Sequence, residues 1–375
     1  MQSAMSQSQR SVLEAEELKP VLKASVNDVR YIVALLRGIN FSNRASVTLS
    51  ADAGIIVTGD EARTLLATSY IYSDHFDEWT YAADIPRPAL SQFSAPDVDP
   101  SSVSFDIPLN VLIECLNIYG TPSISMGGSG PSHKKWRREA DRSEDERYEE
   151  RRDGRQQTRG ASHVPASNRI DQYFGGGSDK RTRMRLSYGG IGHPLTLWLA
   201  EDSSGPTTTC EIMTFDPDPI TELPFDGDRT LLRIIFKSSS WLRDALSEFD
   251  PSCEKITFIA NPVSEAGRAQ RGRPIKPLFR IMAFGAFGST EMDYPNDREV
   301  LETFECSRFV AASYRFTHMT HTLRALQNST KTSLRIDDEG LLSLQFLVPV
   351  PKPRGGQSDS FIEFRCLALD EEVAS

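Results

Sequence analysis

Apolar and polar residues alternate over short stretches of the chain, a pattern that is typical of half-buried strands. LKASV (Leu22–Val26) and KITFIA (Lys255–Ala260) are examples, and turn-forming residues follow each of them. In the first part of the chain, strands are predicted at Leu22–Val26, Ala45–Leu49, Gly54–Thr58, Thr64–Tyr72, Val103–Ile107, Thr182–Tyr188, Leu195–Ala200 and Thr207–Phe215. In the second part, they are predicted at Leu231–Lys237, Lys255–Ala260, Leu278–Phe287, Leu301–Cys306, Ser333–Ile336, Leu341–Val348 and Phe361–Leu369.

A second pattern, with apolar residues three and four positions apart, predicts helices between these strands. The predicted helices are Asp28–Asn40, Leu109–Gly120, Ser240–Asp250 and Thr317–Ser329. Gly120 closes the second helix, with Pro122 just beyond it. Each half of the chain therefore runs strand, helix, strands, helix, strands. This is an internal repeat of architecture with little residue identity between the copies, and it predicts two similar α+β halves.

Three segments interrupt this pattern. Residues 1–17 form a polar tail without the basic start and apolar core of a signal peptide, and we expect it to be disordered. Residues 121–181 mix glycine with dense charge of both signs and lack apolar spacing, which indicates a disordered insertion. A short charged helix over Asp141–Arg152 is the alternative for part of it. Residues 216–229 are rich in proline and acid and form a linker.

The overall charge and the cysteines narrow the choice of function. The formal net charge is −10 and the pI is about 5.3, which argues against a protein coated in positive charge for nucleic acid, although a local basic face is not excluded. The five cysteines lie far apart without a CxxC pair, so we expect reduced thiols in an intracellular protein. No metal site or cofactor is predicted, and no apolar run approaches the ~20 residues that a membrane helix needs.

Five segments carry a resemblance to a known family. They are LNVLIECLNIYG (Leu109–Gly120), KSSSWLRDALSEFD (Lys237–Asp250), FGAFGSTEMDYPND (Phe284–Asp297), VLETFECSRFVAASYRFTHM (Val300–Met319), and GLLSLQFLVP followed by FIEFRCLAL. In order and spacing they resemble the Rad-one subunit family of the nine-one-one DNA-damage checkpoint clamp, a relative of proliferating cell nuclear antigen. LRALQNSTK (Leu323–Lys331) is similar to the last pore helix of the replicative clamp, and CLALDEE (Cys366–Glu372) to its C-terminal end.

The resemblance implies an α+β sliding-clamp (DNA clamp) fold, in which two similar domains have outer antiparallel sheets and inner helices. The expected domains are residues 18–215, including the insertion, and residues 230–375, with 216–229 as the interdomain connector. It also implies a nuclear, non-enzymatic subunit that joins two other clamp subunits in a ring around double-stranded DNA. A clamp loader and repair or checkpoint proteins are the further partners that it implies. Heterotrimer rather than homotrimer rests on the resemblance alone.

The ends of such a subunit would pair edge strands with neighbouring subunits, which hides backbone groups that invite aggregation. By position these edges are Cys210–Phe215 and Thr290–Tyr294, and the alternative is an ordinary strand within one chain. The predicted interface residues are Cys210, Ile212, Phe215, Met292 and Tyr294.

A sliding ring needs contacts to phosphates and none to bases, and lysine or arginine on the inward helices would supply them. The predicted DNA-facing residues are Arg30, Arg37, Arg243, Arg324 and Lys331. Arg30 and Arg37 are seven residues apart and so share a helix face, whereas acids flank Arg243. An ordinary solvated surface charge is the alternative for each. The helix LNVLIECLNIYG contains no lysine or arginine, so this subunit would have a less positive bore than the replicative clamp.

The connector and the insertion suggest partner-binding elements. The resemblance implies that a hydrophobic pocket beside the connector captures partner peptides, and its predicted residues are Ile220, Leu223, Phe225, Leu367 and Leu369. A plain linker is the alternative. In the insertion, Ile170, Tyr173 and Phe174 have the spacing of the peptide that such pockets bind, although Ser167 replaces the usual leading Gln. Chance or local packing is the alternative for that peptide.

A 3′–5′ exonuclease is the competing function, because proteins of this family have been suggested to be such enzymes. That chemistry needs several carboxylates converging on two metal ions. Asp-x-Glu triplets occur at Asp297/Glu299, Asp337/Glu339 and Asp370/Glu372, all in predicted turns or the tail. None of them follows a buried first strand, and no P-loop, HExxH or nucleophile motif is present.

Overall fold

The computed structural model describes residues 20–82, 102–119, 181–201, 205–264, 266, 276–286, 288–353 and 355–370. These residues are mostly sheet with few helices. The first nine strands are β1 Leu22–Val26, β2 Arg44–Ser50, β3 Gly54–Glu61, β4 Leu65–Ile71, β5 Glu78–Tyr81, β6 Val103–Pro108, β7 Arg183–Tyr188, β8 Leu195–Ala200 and β9 Thr207–Ile212. The second nine are β10 Thr230–Phe236, β11 Lys255–Ala260, β12 Phe279–Gly285, β13 Gly288–Tyr294, β14 Leu301–Cys306, β15 Val310–Arg315, β16 Lys331–Asp337, β17 Leu342–Pro351 and β18 Gln357–Cys366.

Four α-helices lie between the strands at equivalent places in the two halves. Helix α1 (Arg30–Gly38) follows β1 and α3 (Ser240–Glu248) follows β10. Helix α2 (Leu109–Leu116) follows β6 and α4 (Phe316–Asn328) follows β15. The helices contact one another in the order α2, α1, α4, α3, so they form a single row. This row is called the helix layer below.

The strand order repeats between the halves. The first half contributes a five-stranded sheet, β5-β1-β7-β8-β9, and a four-stranded run, β4-β3-β2-β6. The second half has β14-β10-β16-β17-β18 and β13-β12-β11-β15, the same two orders with every strand number raised by nine. All of the neighbouring strands are antiparallel. The predicted repeat of architecture is therefore present in the described residues.

Strand alternation puts the core on the helix side of the sheets. In β10, Leu232, Ile234 and Phe236 are fully buried, whereas Arg233 between them is exposed. Successive side chains of a strand point to opposite faces, so one sequence pattern builds an apolar inner face and a polar outer one. Burying an apolar side chain of this size contributes about 1.5–3 kcal/mol.

Strands β18 and β4 join the five-stranded run of the second half to the four-stranded run of the first half in one nine-stranded sheet. They pair over six residue pairs, from Phe361↔Tyr70 to Cys366↔Leu65. Helices α1 and α4 pack together beside this ladder, and Gly38 permits their close approach. A Cβ placed on Gly38 would lie 2.5 Å from Ile362 Cδ1 and 3.5 Å from the Cβ of Ala325. We call β18–β4 and α1–α4 together the internal junction.

Several predicted elements differ from the structure. The strands at Leu22–Val26, Leu195–Ala200, Lys255–Ala260 and Leu301–Cys306 are confirmed with their bounds. The strand expected over Leu278–Phe287 ends at Gly285, and β13 begins at Gly288. Strands β5 (EWTY) and β15 (VAASYR) were missed because they are short, and their polar or small residues give little alternation. Helix α2 ends at Leu116, four residues before Gly120. At this helix end, the Asn117 side-chain amide donates to the Ile113 carbonyl at 2.7 Å.

Replacing Gly38 by valine should destabilise the internal junction. The added methyl groups would overlap Ile362 and crowd Ala325, so we expect a loss of about 1–3 kcal/mol in the free energy of unfolding. Gly227→Val is the matched control, because a Cβ at Gly227 meets no heavy atom within 4 Å. Urea denaturation followed by circular dichroism measures both. Equal midpoints for the two variants would show that the close approach at Gly38 is unimportant.

Candidate nucleic-acid and partner interfaces

Two of the sheet edges, β9 and β13, correspond to the two strands that meet at the internal junction. By the repeat, β9 is the counterpart of β18 and β13 is the counterpart of β4. Strand β9 pairs only with β8, and β13 only with β12, within the described part of the chain. Each therefore presents one row of backbone N–H and C=O groups without a strand partner there, which is a surface for strand addition.

The side chains of the five predicted interface residues are placed differently from one another. Ile212 and Tyr294 are buried, 2% and 3% exposed, and the Tyr294 hydroxyl donates to the Trp241 carbonyl at 2.9 Å. Cys210 and Met292 are half-buried in the two edge strands. At Ile212 and Tyr294 the side chain belongs to the core of this chain, and only the backbone is available to a neighbour.

Phe215 lies outside β9, which ends at Ile212. It forms an isolated β-bridge with Asp106. The backbone N–H of each residue donates to the carbonyl of the other at 2.9 Å. Its ring is 41% exposed, and the Arg44 guanidinium carbon lies 4.4 Å from the ring centroid. The chain therefore turns from the β9 edge toward the connector at Phe215.

Three of the five predicted DNA-facing residues are held in ion pairs. Arg30 is half-buried, and its Nε and Nη2 atoms lie within 3.0 Å of Asp28 carboxylate oxygens. Arg243 pairs with Asp244 at 2.8 Å. Lys331 Nζ lies 2.6 Å from Glu302 Oε2.

Lys331 also lies apart from the helix layer. The next residue in β16, Thr332, is buried and donates its hydroxyl hydrogen to Ser239 Oγ at the start of α3. Since successive residues of a strand point to opposite faces, Lys331 projects from the face turned away from the helices. The structure therefore does not bring Lys331 together with the helix-layer arginines.

Arg37 and Arg324 form the basic centre of the helix layer. They directly precede Gly38 and Ala325, the residues in closest approach between α1 and α4. Arg324 is exposed and donates to the Asn40 carbonyl at 3.3 Å, and Arg37 is half-buried. Neither of them has a carboxylate partner among the described residues. The outer helices carry acids instead, with Glu114 exposed on α2 and Asp244 and Glu248 exposed on α3.

The connector lies on the sheet face opposite the helices and inserts its own apolar residues there. Leu223 is 6% exposed and packs with Leu66 and Leu341, and Ile220 and Phe225 pack against that cluster. The groove beside the connector is therefore filled by three of the five predicted pocket residues. The other two lie on the segment after β18, where Leu367 is 40% exposed and Leu369 is half-buried.

Charged side chains beneath the connector hold it in place, and sequence reasoning missed them. Glu363 is 5% exposed and lies 2.9 Å from Arg365 and 3.4 Å from Arg335. Arg365 donates to the Leu223 carbonyl at 3.0 Å, and the Arg335 guanidinium carbon lies 4.7 Å from the Phe225 ring centroid. The pKa of Arg335 is lowered chiefly by burial, and Glu363 opposes the shift. The sequence signal that could have revealed these residues is the placement of charged residues at alternate positions of otherwise apolar strands.

The Asp-x-Glu triplets support turns in the described residues. Asp297 Oδ1 accepts the backbone N–H of Glu299 at 2.9 Å, and Asp337 Oδ1 accepts those of Glu339 and Leu341. In the third triplet only Asp370 is described. No group of three or more His, Cys, Asp or Glu side chains with metal-ligand geometry occurs in the described ranges.

The cysteines are free thiols, and burial raises the pKa of three of them, Cys115, Cys253 and Cys366. Burial raises the pKa of the Cys115 thiol to about 11 and that of the Cys366 thiol to about 12. Both thiols are therefore protonated at neutral pH and are poor nucleophiles.

The predicted peptide residues Ile170, Tyr173 and Phe174 lie outside the described residues.

Comparison with known proteins identifies the family. The model of the family described as repair protein Rad1/Rec1/Rad17 matches residues 21–348. The chain belongs to this family. Family members include the cell cycle checkpoint protein RAD1 of Mus musculus, which is 27% identical over 360 residues covering 96% of each chain. The DNA repair exonuclease REC1 of Mycosarcoma maydis is 27% identical over 447 residues, 93% of this chain and 96% of the relative.

A third Rad1/Rec1/Rad17-family relative matches over a shorter stretch. It is the DNA damage checkpoint control protein rad1 of Schizosaccharomyces pombe, 33% identical over 188 residues, which is 50% of this chain and 52% of the relative. Separately, none of the helices in the described residues has the length and apolar composition needed to cross a bilayer.

Replacing Leu223 by alanine should release the connector without unfolding the sheets. The substitution removes the side chain that packs on Leu66 and Leu341, a loss of about 2–5 kcal/mol for a buried leucine. We expect faster amide hydrogen exchange and faster protease cleavage within residues 216–229. Glu222→Ala, at the exposed neighbouring position, is the control. Unchanged exchange in Leu223→Ala would mean that Leu223 does not anchor the connector.

Proposed function

We propose that this chain is a non-enzymatic subunit of a ring-shaped sliding clamp that encircles DNA in the damage checkpoint. The observation that carries this is the internal junction together with its two unpaired counterparts. The β18–β4 ladder joins the two halves. In the repeat, β9 is the counterpart of β18 and β13 is the counterpart of β4, and both are edge strands in the described residues. A structure that repeats by one operation and ends in complementary edges continues into further copies of the same arrangement.

Ring closure follows from adding subunits with the same architecture. Strand β9 would pair with the β13 counterpart of one neighbour, and β13 with the β9 counterpart of the other. Two other subunits related to this chain would complete a heterotrimer, in the nucleus where damaged DNA is found. Pairing also covers edge strands that would otherwise promote aggregation.

The helix layer would face the DNA. Arg37 and Arg324 support this, because they stand at its centre without carboxylate partners among the described residues. Phosphate contacts from arginine hold a duplex without reading its sequence. Glu114, Asp244 and Glu248 on the outer helices reduce the positive potential, so this subunit alone would bind DNA weakly and depend on the ring.

The connector would be the surface that recruits repair and checkpoint proteins. Its three apolar side chains already occupy the groove over Leu66 and Leu341, so a partner peptide would use exposed Leu367 or displace Phe225. Backbone order in the connector, set by Arg365 and Leu223, favours a preformed docking edge.

A 3′–5′ exonuclease is the second candidate, because the Mycosarcoma maydis relative carries that name. The Asp297 and Asp337 carboxylates accept backbone N–H groups, Glu299 pairs with Lys237 at 2.6 Å, and Glu339 pairs with Arg229 at 2.8 Å, which favours a structural role for these acids. Incubation of the purified chain with 3′-labelled DNA and Mg²⁺ distinguishes the candidates. Degradation that is lost in a carboxylate variant would establish the enzyme.

Proline scanning of β9 tests the proposed edge. Adjacent residues of a strand point their N–H groups to opposite sides, so Thr209→Pro and Cys210→Pro remove one N–H from the β8 pairing and one from the free edge. We expect the free-edge variant to keep the stability of the monomer and to lose association with a co-expressed clamp subunit. The other variant should lower stability instead. Full association in both variants would contradict the proposal.

Removing the central arginines should weaken DNA binding by the assembled ring. Arg37→Ala/Arg324→Ala removes two phosphate contacts, so the slope of log K against log salt should fall by about two. Arg233→Ala/Arg308→Ala is the control with the same charge change, since Arg233 lies on the face opposite the helices and Arg308 in an exposed turn. Fluorescence anisotropy with labelled duplex at several salt concentrations measures both slopes. Equal salt slopes for the two variants would show that DNA does not contact the helix layer.

A further inference from the structure

The repeat gives each residue of α3 a counterpart in α1. Strand β1 ends at Val26 and α1 begins four residues later, and β10 ends at Phe236 with α3 again beginning four residues later. Val26 and Phe236 also occupy matching places, because they pair with Met184 of β7 and Thr332 of β16. Ala34 therefore corresponds to Asp244, and Gly38 to Glu248.

Helix α1 presents small residues to α4 at the internal junction. The Asn328 side-chain amide donates to the Ala34 carbonyl at 3.5 Å, and Gly38 faces Ala325. Ala325 is fully buried there. The close contact between helices thus depends on having no side chain larger than a methyl group at these two positions of α1.

Helix α3 presents carboxylates at the same two positions. Asp244 and Glu248 are exposed, and Arg243 pairs with Asp244 at 2.8 Å. Glu248 has no ion pair in the described part of the chain. The neighbouring β13 edge adds Glu291 and Asp293, which both pair with Arg280. These two pairs lie on the sheet face turned away from the helices, because Glu291 and Asp293 alternate with the buried Tyr294. On the helix side, Asp244 and Glu248 therefore stand against Arg243 alone, at the end that we call the α3 end.

The opposite end of the molecule exposes apolar side chains beside Glu114 of α2. Helix α4 starts directly after β15 and α2 directly after β6, so Ala325 corresponds to Ile118 in the turn after α2. Ile118 is 51% exposed whereas Ala325 is 0% exposed. Val111 on α2 is 37% exposed, whereas its counterpart His318 is 3% exposed. Helix α2 and strand β9 contain no lysine or arginine. We call this the α2 end.

We infer that Asp244 and Glu248 prevent this chain from assembling with itself and select a neighbour that brings a basic helix to the α3 end. The inference rests on the proposed function, because it takes the internal junction as the template for contacts between subunits. In a ring of identical chains, Ile118 of one copy would lie on Glu248 of the next. Burying a carboxylate against isoleucine, with no cation from α2 or β9, is strongly unfavourable.

The two ends therefore fit two different partners. The α3 end fits a subunit with lysine or arginine on its counterpart of α2, since these would pair with Asp244 and Glu248 across the contact. The α2 end fits a subunit with small residues at the counterparts of Ala34 and Gly38, because these would cover Ile118 and Val111. The carboxylates of α3 at one end and the exposed Ile118 and Val111 at the other would fix the order of subunits in the ring.

Light scattering after size exclusion on the full chain tests this. The wild-type chain should have the mass of one chain. Asp244→Ala/Glu248→Ala restores the character of α1 and should shift the mass to a dimer or larger. Ile118→Lys places a cation opposite Glu248 and should shift it as well, and adding Glu248→Lys to Ile118→Lys should return the mass to one chain. Asp52→Ala/Glu222→Ala, which removes two exposed charges elsewhere, is the control.

A self-assembled wild-type chain would overturn the inference, and so would both gain-of-association variants remaining at the mass of one chain with unchanged circular dichroism. Co-expression with two related clamp subunits separates this from failure of the proposed function. Asp244→Lys/Glu248→Lys should lose the subunit at the α3 end and keep the one at the α2 end. If the wild-type chain forms no ring at all with those subunits, the proposed function itself fails.

Discussion

The pairing of β18 with β4 is the interaction on which the rest of the structure depends. It joins the five-stranded run of the second half to the four-stranded run of the first half in one nine-stranded sheet, and it brings α1 against α4 on one face of that sheet. The backbone ladder sets the register, and Gly38 lets the helices approach closely enough to bury Ala325. The basic pair Arg37 and Arg324 stands where it does because this packing brings the two helix ends together.

The same junction has counterparts at the two ends of the molecule. Strands β9 and β13 are built like the strands that meet inside the chain, but neither has a second neighbour in the described residues. Exposed Ile118 and the carboxylates of α3 are the counterparts of residues that the internal junction buries or keeps small. In the assembly that we propose, the internal junction would be the template for contacts between subunits, and the α3 carboxylates would reject unsuitable neighbours.

Much of the fold could be predicted from the sequence, since alternation and helical spacing report directly on burial. The bounds of β1, β8, β11 and β14 are confirmed, whereas β5 and β15 carry too few large apolar residues to give a signal. The roles of single side chains were harder to predict. Alternation marks Glu363 and Arg365 as outward-facing, but only tertiary structure shows that the connector covers them.

The predicted DNA-facing residues show the same limit. Spacing groups Arg30 with Arg37 on α1. The structure separates them, because Arg30 forms an ion pair with Asp28 whereas Arg37 has no carboxylate partner among the described residues. Lys331 follows α4 closely in sequence, and strand alternation then turns its side chain to the opposite face of the sheet. Which charges remain available is decided by local partners that composition and spacing do not reveal.

The structure of this chain co-expressed with two related clamp subunits and bound to duplex DNA, determined by electron cryomicroscopy, would test the central claim most directly. We predict a closed ring in which β9 and β13 each extend the sheet of a neighbour and the α2-α1-α4-α3 layer surrounds the duplex. A complex in which these edges remain unpaired, or in which the sheets rather than the helices face the DNA, would contradict it.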